Sequence, residues 1–285
     1  MISTFVSCYA MSGSSCLRWK MAAPIQRGTD HHKTFGAKAY LALYYATPEG
    51  TDEEGELLTP YLKEFHEIFN SGRLKPGSRL LDVGSGPTIH QLISASRFCT
   101  EIVCAEYTEN NRAEIEKWVK KDPDMHDWTP FFKFVADLEG DSSSWEARQS
   151  HLRDAIKEVI TCDVTKPEPF APRQYQEFDV VTTSLCLETA CPDRETYSAA
   201  VRRITRLLKP GGTFALAEVT NQTFYSFGDY KFFTLPIDSS FMREVFEKAG
   251  YVDINIKSFP ATNLENNTIS DFDGLVVLHA RKAEI

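Results

Sequence analysis

The chain has 285 residues, 42% apolar and 25% charged, enough to bury a full core as one α/β domain. No apolar run nears the roughly 20 residues that span a bilayer, and a net charge of −9 opposes a polyanion. Neither a membrane nor a nucleic acid is therefore expected as a partner.

Residues 1–33 carry Arg18, Lys20 and Arg27 with no acid before Asp30. This reads as a disordered or targeting tail, and the lack of an Arg-bearing amphipathic helix favours the former. Residues 34–285 are expected to form a single domain. From Tyr40 onward β-type runs alternate with helical ones, the pattern of a doubly wound α/β sheet. Tyr61, Leu62, Phe65, Ile68 and Phe69 predict a helix before the first strand, 79–83. Gly84-Ser85-Gly86 then turns the chain into a helix over about 88–97, and strand two, 101–105, closes on Glu106. A helix at 111–121 leads into a polar helical excursion at 122–145, with an apolar island at 131–135. Strand three ends at Cys162-Asp163, and strand four is the β-branched run 178–183. A helix at 195–208 is expected to stop at Lys209-Pro210-Gly211-Gly212 before strand five, 213–218. A helix at 239–249 and strands at 251–257 and 275–280 bring the count to seven strands.

Seven cysteines at irregular spacing form neither a zinc pattern nor a disulfide framework. They fit reduced thiols in a cytoplasmic protein, and no metal is expected.

Three strand tips carry ligand chemistry, and in open parallel sheets ligands bind at such tips. Gly84 and Gly86 let the backbone bend and approach a ligand, with Ser85 between them. Glu106, 22 residues beyond Gly84, offers two acceptor oxygens to ribose hydroxyls. Asn111 suits either the same ligand or a helix cap. Asp163 can accept from an adenine amino group while Val164 covers the ring. A dinucleotide fingerprint would need Gly or Ala three residues after Gly86, where Ile89 stands. S-adenosylmethionine has no phosphates and needs no such cradle.

The segments LLDVGSGPTIHQLISA (80–95), EIVCAEYTENN (101–111), DWTPFFKFVADLEG (127–140), TCDVT (161–165), SLCLETACPD (184–193) and LLKPGG (207–212) resemble one family. It comprises the nicotinamide, phenylethanolamine and indolethylamine N-methyltransferases and the thioether S-methyltransferases. The resemblance runs from about Phe35 to Arg281. It implies a Rossmann-like class I methyltransferase: seven strands, the last antiparallel, helices on both faces, and an N-terminal helical lid. The implied cofactor is S-adenosylmethionine. Its implied contacts are Tyr40 and Tyr45 from the lid, Gly84 and Ser85, Glu106 and Asn111, Cys162, Asp163 and Val164, and Ser184. The lid aromatics also suit plain helix packing. His90 replaces a tyrosine common in the family near the methionine carboxylate.

On the acceptor side, Glu188 and Glu218 are the candidates for orienting the acceptor or taking its proton; capping a neighbouring helix is the even alternative for Glu188. Gln222, Tyr225, Ser270 and Asp271 complete the expected acceptor wall, which matches no one named member. The implied reaction is in-line methyl transfer to a small amine, either nicotinamide or another pyridine, or a biogenic or indole amine, by a monomer. A non-catalytic cofactor-binding regulator and a thioether S-methyltransferase are the alternatives.

Overall fold

The computed structural model describes residues 25–50, 55–262 and 269–284. A short strand β1 (Ile25–Gln26) and helices α1 (His31–Thr34), α2 (Ala37–Tyr44) and α3 (Gly55–Asn70) come first. Then follow β2 (Ser78–Val83), β3 (Cys99–Glu106), α4 (Glu109–Val119), α5 (Thr129–Leu138), α6 (Trp145–Ala155) and β4 (Ile156–Thr161). The second half runs β5 (Phe178–Ser184), α7 (Leu187–Ala190), α8 (Arg194–Thr205), β6 (Leu208–Thr220), β7 (Phe224–Phe227), β8 (Tyr230–Phe233), α9 (Ser239–Lys248), β9 (Tyr251–Pro260) and β10 (Gly274–Lys282).

The main sheet has seven strands in the order β4-β3-β2-β5-β6-β10-β9. β2 to β6 are mutually parallel, while β10 runs antiparallel to both β6 and β9. This is the expected α/β fold. Strand side chains alternate between two cores, as a sheet covered on both faces requires. Leu80, Ile102 and Val180 pack on one face with Phe65 and Phe131. Their neighbours Leu81, Val103 and Val181 pack on the other with Tyr197, Val201, Met242 and Phe246.

The structure departs from the sequence expectations in four places. Residues 88–97 are not a continuous helix but two 3-10 turns, His90–Leu92 and Ala95–Arg97. Side chains there compete for the backbone: Thr88 Oγ1 donates to the Ser85 carbonyl, Gln91 Nε2 to the Thr88 carbonyl, and Ser96 Oγ to that of Ile93. Lys209–Gly212 does not end the preceding helix, which closes at Thr205. Instead those residues bulge inside β6, since Leu208 pairs with Phe178 and Thr213 already with Val180. The stretch 145–155, left between the excursion and strand three, is the helix α6. Finally, the expected tail is in part structured: residues 1–24 lie outside the described residues, but 25–33 join the fold. β1 pairs with β8 and, with β7, makes a separate three-stranded sheet that sequence patterning did not reveal.

Candidate active site

The strand order reverses between β2 and β5, the place where an open parallel sheet leaves a crevice at its carboxyl ends. Gly84 at the tip of β2 has φ +69°, and a Cβ there would lie 2.0 Å from Cys186 Sγ. Only glycine lets that bend pass under the β5 tip.

The crevice opens into a cavity. Tyr40, Tyr45, Gly84, Ser85, His90, Glu106, Asn111, Cys162, Asp163, Val164 and Ser184 all line it, as does Tyr225. A second, smaller cavity is walled by Tyr44, Leu57, Leu58, Val219 and Phe272 and contains Glu188 and Gln222. The two share Tyr40, Tyr45, Leu185, Thr189 and Tyr225, so they adjoin along one wall. Leu185 sits on that wall at φ 50°, a left-handed conformation that costs a leucine about 1–2 kcal/mol.

Local structure sets the polar groups. Glu106 Oε1 accepts from the Thr108 amide at 2.8 Å and from Asn111 Nδ2 at 3.0 Å, and Oε2 from the Gly86 amide at 3.0 Å. The carboxylate thereby clamps the glycine bend to the start of α4. Burial raises its pKa, which those bonds oppose. Asp163 Oδ1 accepts from the Thr165 amide and hydroxyl, an Asx-type turn that fixes the β4 tip. His90 lies in an aromatic box of Tyr45, Tyr61, Trp128 and Phe131. Burial pushes it down to about 3, so the imidazole is neutral, and neither ring nitrogen has a partner within the protein. Asn111 Oδ1 is likewise buried and unpartnered.

The acceptor-side residues divide. Glu188 faces the second cavity, and burial raises its carboxyl to about 7. Glu218 lines neither cavity; it is fully buried and accepts from the Tyr197 hydroxyl at 2.7 Å. Burial, then the charge of Glu188, holds it well above the carboxylate range. Direct contact of Glu218 with an acceptor is thus not what its position offers, because its strand turns it into the core beneath Glu188. Gln222 lines the second cavity and donates to Ser270 Oγ, and Ser270 itself lines neither cavity. Asp271 is exposed and accepts from the Thr223 and Phe224 amides, so it holds a turn rather than facing either cavity.

Several cavity residues escaped the sequence reading. Tyr61, placed there in an apolar helix stripe, exchanges a 2.6 Å hydrogen bond with Ser184 Oγ. A phenol inside such a stripe needs a polar partner, which was the available signal. Gly28, His31 and Phe35 also line the larger cavity; the first two lie in the segment assigned to the tail, and Phe35 just beyond it.

The model of the NNMT/PNMT/TEMT family matches residues 23–283. The chain belongs to that family. It is 37% identical to nicotinamide N-methyltransferase of Homo sapiens over 87% of this chain and 93% of that protein. Identity to indolethylamine N-methyltransferase of Mus musculus is 36%, over 90% and 96%. As a member of the NNMT/PNMT/TEMT family the chain is an S-adenosylmethionine-dependent methyltransferase. Among solved structures, phosphoethanolamine N-methyltransferase 2 of Haemonchus contortus in complex with S-adenosyl-L-methionine superposes with TM-score 0.54 at 14% identity. It covers 90% of this chain and 60% of that one. At that identity the likeness is one of fold.

Among the described residues no group of His, Cys, Asp or Glu is arranged to hold a metal. Nor is any helix among them long and apolar enough to cross a membrane.

Proposed function

We propose that this chain methylates the nitrogen of a small amine held in the second cavity, with the cofactor in the first. The observation that supports this is the shared wall. One cavity holds the ribose- and adenine-type acceptors, the other an aromatic surround with one carboxyl poised near neutrality, and Tyr40, Tyr45, Leu185, Thr189 and Tyr225 border both.

The residues present fit the cofactor. A carboxylate offers about four acceptor positions; Gly86, Thr108 and Asn111 bond to Glu106, and a ribose hydroxyl would join that set. Asp163 and Val164 would hold the adenine, with Cys162 beneath it. Neutral His90 has one nitrogen that donates and one that accepts, which suits an amino acid end carrying both a carboxylate and an ammonium. The unpartnered Asn111 Oδ1 is a further acceptor close by. Tyr40, Tyr45, Gly84, Ser85 and Ser184 would enclose the remainder.

When bound, S-adenosylmethionine supplies a methyl on a positively charged sulfur, whose C–S bond breaks with its electrons left on sulfur as the acceptor nitrogen attacks. The chain's part is to align and desolvate that nitrogen. Aromatic walls exclude water. Glu188 accepts the proton of an alkylammonium and so frees the nitrogen lone pair, a task suited to a group titrating near neutral pH. A pyridine nitrogen needs no such transfer. Glu218 acts through Glu188, because a protonated neighbour raises no competing charge in the same low-dielectric space.

The test is an acceptor panel with methyl-labelled cofactor: nicotinamide, pyridines, phenylethylamines and indolethylamines, with small thioethers alongside. Methylated amine is the expected product. Product from thioethers alone, or cofactor binding with no product at all, would reject the reading.

A further inference from the structure

His31 belongs to no role described so far, yet it lies beside the seam between the two cavities. We propose that His31 is a positioning residue for the acceptor: its bond to the Tyr225 phenol holds that ring over the seam. The proposal rests on the acceptor occupying the second cavity, as argued above.

His31 Nε2 and the Tyr225 hydroxyl are 3.3 Å apart. Tyr225 lines both cavities, whereas His31 lines only the cofactor cavity. The rest of Tyr225 is held from below: its ring stacks on Phe232 at 5.0 Å and 20°, and its backbone bridges to Ser270. His31 leans on the same Phe232, its ring edge-on at 4.8 Å, and lies 5.5 Å from Phe35. The bond therefore ties α1 to β7 around the Phe232 ring that both side chains pack against. It leaves the phenol oxygen with a set direction at the point where acceptor nitrogen and methyl group would meet. Burial lowers His31 to about 4, so the imidazole stays neutral at physiological pH, and its unprotonated nitrogen can receive the phenol proton in the hydrogen bond. No proton is transferred; the bond only orients the ring.

A histidine present merely for packing would be replaced well by phenylalanine and poorly by glutamine. The positioning role predicts the reverse. In the full-length protein with the best acceptor from the panel, His31→Phe should lower kcat roughly tenfold to a hundredfold, the range that small misplacements produce. Acceptor KM should stay within about twofold. His31→Gln, which keeps a polar group near the Nε2 position, should recover most of the loss. Tyr225→Phe breaks the same bond from the other side without touching the N-terminal segment, and the double variant His31→Phe/Tyr225→Phe should lose no more than the worse single one. Wild-type kcat in His31→Phe, or losses that multiply in the double variant, would overturn the proposal while leaving the amine reading intact. A wild-type protein that turns over no amine would remove both.

Discussion

Glu106 shows how much one side chain can tie together. Its removal leaves the Gly86 and Thr108 amides and Asn111 Nδ2 without their acceptor, and each buried orphan costs about 1–3 kcal/mol. Glu106→Ala should therefore weaken cofactor binding by tenfold or more, read by calorimetry; unchanged affinity would dismiss the ribose assignment. Glu188 makes a prediction with a sign. Its folded-state pKa is raised from the usual 4.5 to about 7, so the folded protein holds this proton more tightly than the unfolded chain. The stability it contributes is complete below 4.5 and is lost as pH rises to about 7. Glu188→Gln should flatten the decline, so denaturant titrations at pH 5 and pH 8 should differ less in the variant than in wild type. Equal slopes would mean that Glu188 is not held in its neutral form.

Element by element, the repeat of apolar residues foretold most of the fold, and local chemistry explains the exceptions. The short runs 79–83 and 178–183 matched strands without alternating, because a strand covered on both faces reads as a mostly apolar, β-branched run. α8 was legible as a helix but not in its limits: it closes at Thr205, and its start is fixed by Asp193, which accepts from the Thr196 amide at 2.7 Å. The turns at 88–97 were read as one helix because Ile89, Leu92 and Ile93 imitate a helical stripe, while the competing bonds of Thr88, Gln91 and Ser96 depend on neighbours in space. β1 could not be read at all. Two residues make no pattern, and their strand exists only because β8 offers Lys231 and Phe232 as partners. A chain starting at Ile25 should accordingly melt higher and bind cofactor more tightly than one starting at residue 34. For a domain of this size, each kcal/mol lost lowers Tm by roughly 2–4 °C. Identical melting and affinity would show that residues 25–33 contribute nothing to the site.

At the scale of the whole molecule, cofactor and fold are linked. The larger cavity draws on β2, β3, the β4 tip, β5, α2 and the segment before it, so a ligand there bridges elements far apart in the chain. Binding only to the folded state should add about 2.7 kcal/mol of stability at a concentration of 100 Kd. A thermal melt with S-adenosylmethionine should shift upward, whereas NAD, whose fingerprint Ile89 breaks, should produce no shift. A larger shift with NAD than with S-adenosylmethionine would contradict the assignment of the cavity.

What the amino-acid order settled unaided is what depends on neighbours along the chain: strand and helix periods, the glycine bend, and acids at fixed distances beyond it. Those local rules were enough to name Gly84, Glu106 and Asp163 as groups of one crevice, because each stands at a strand tip and parallel strands present their tips together. The tertiary structure alone decided how residues remote in the chain meet. It turned Glu218 beneath Glu188, bonded Tyr61 to Ser184, and brought His31 to Tyr225. Side-chain direction and burial follow from packing in three dimensions, and no periodicity in the chain encodes them.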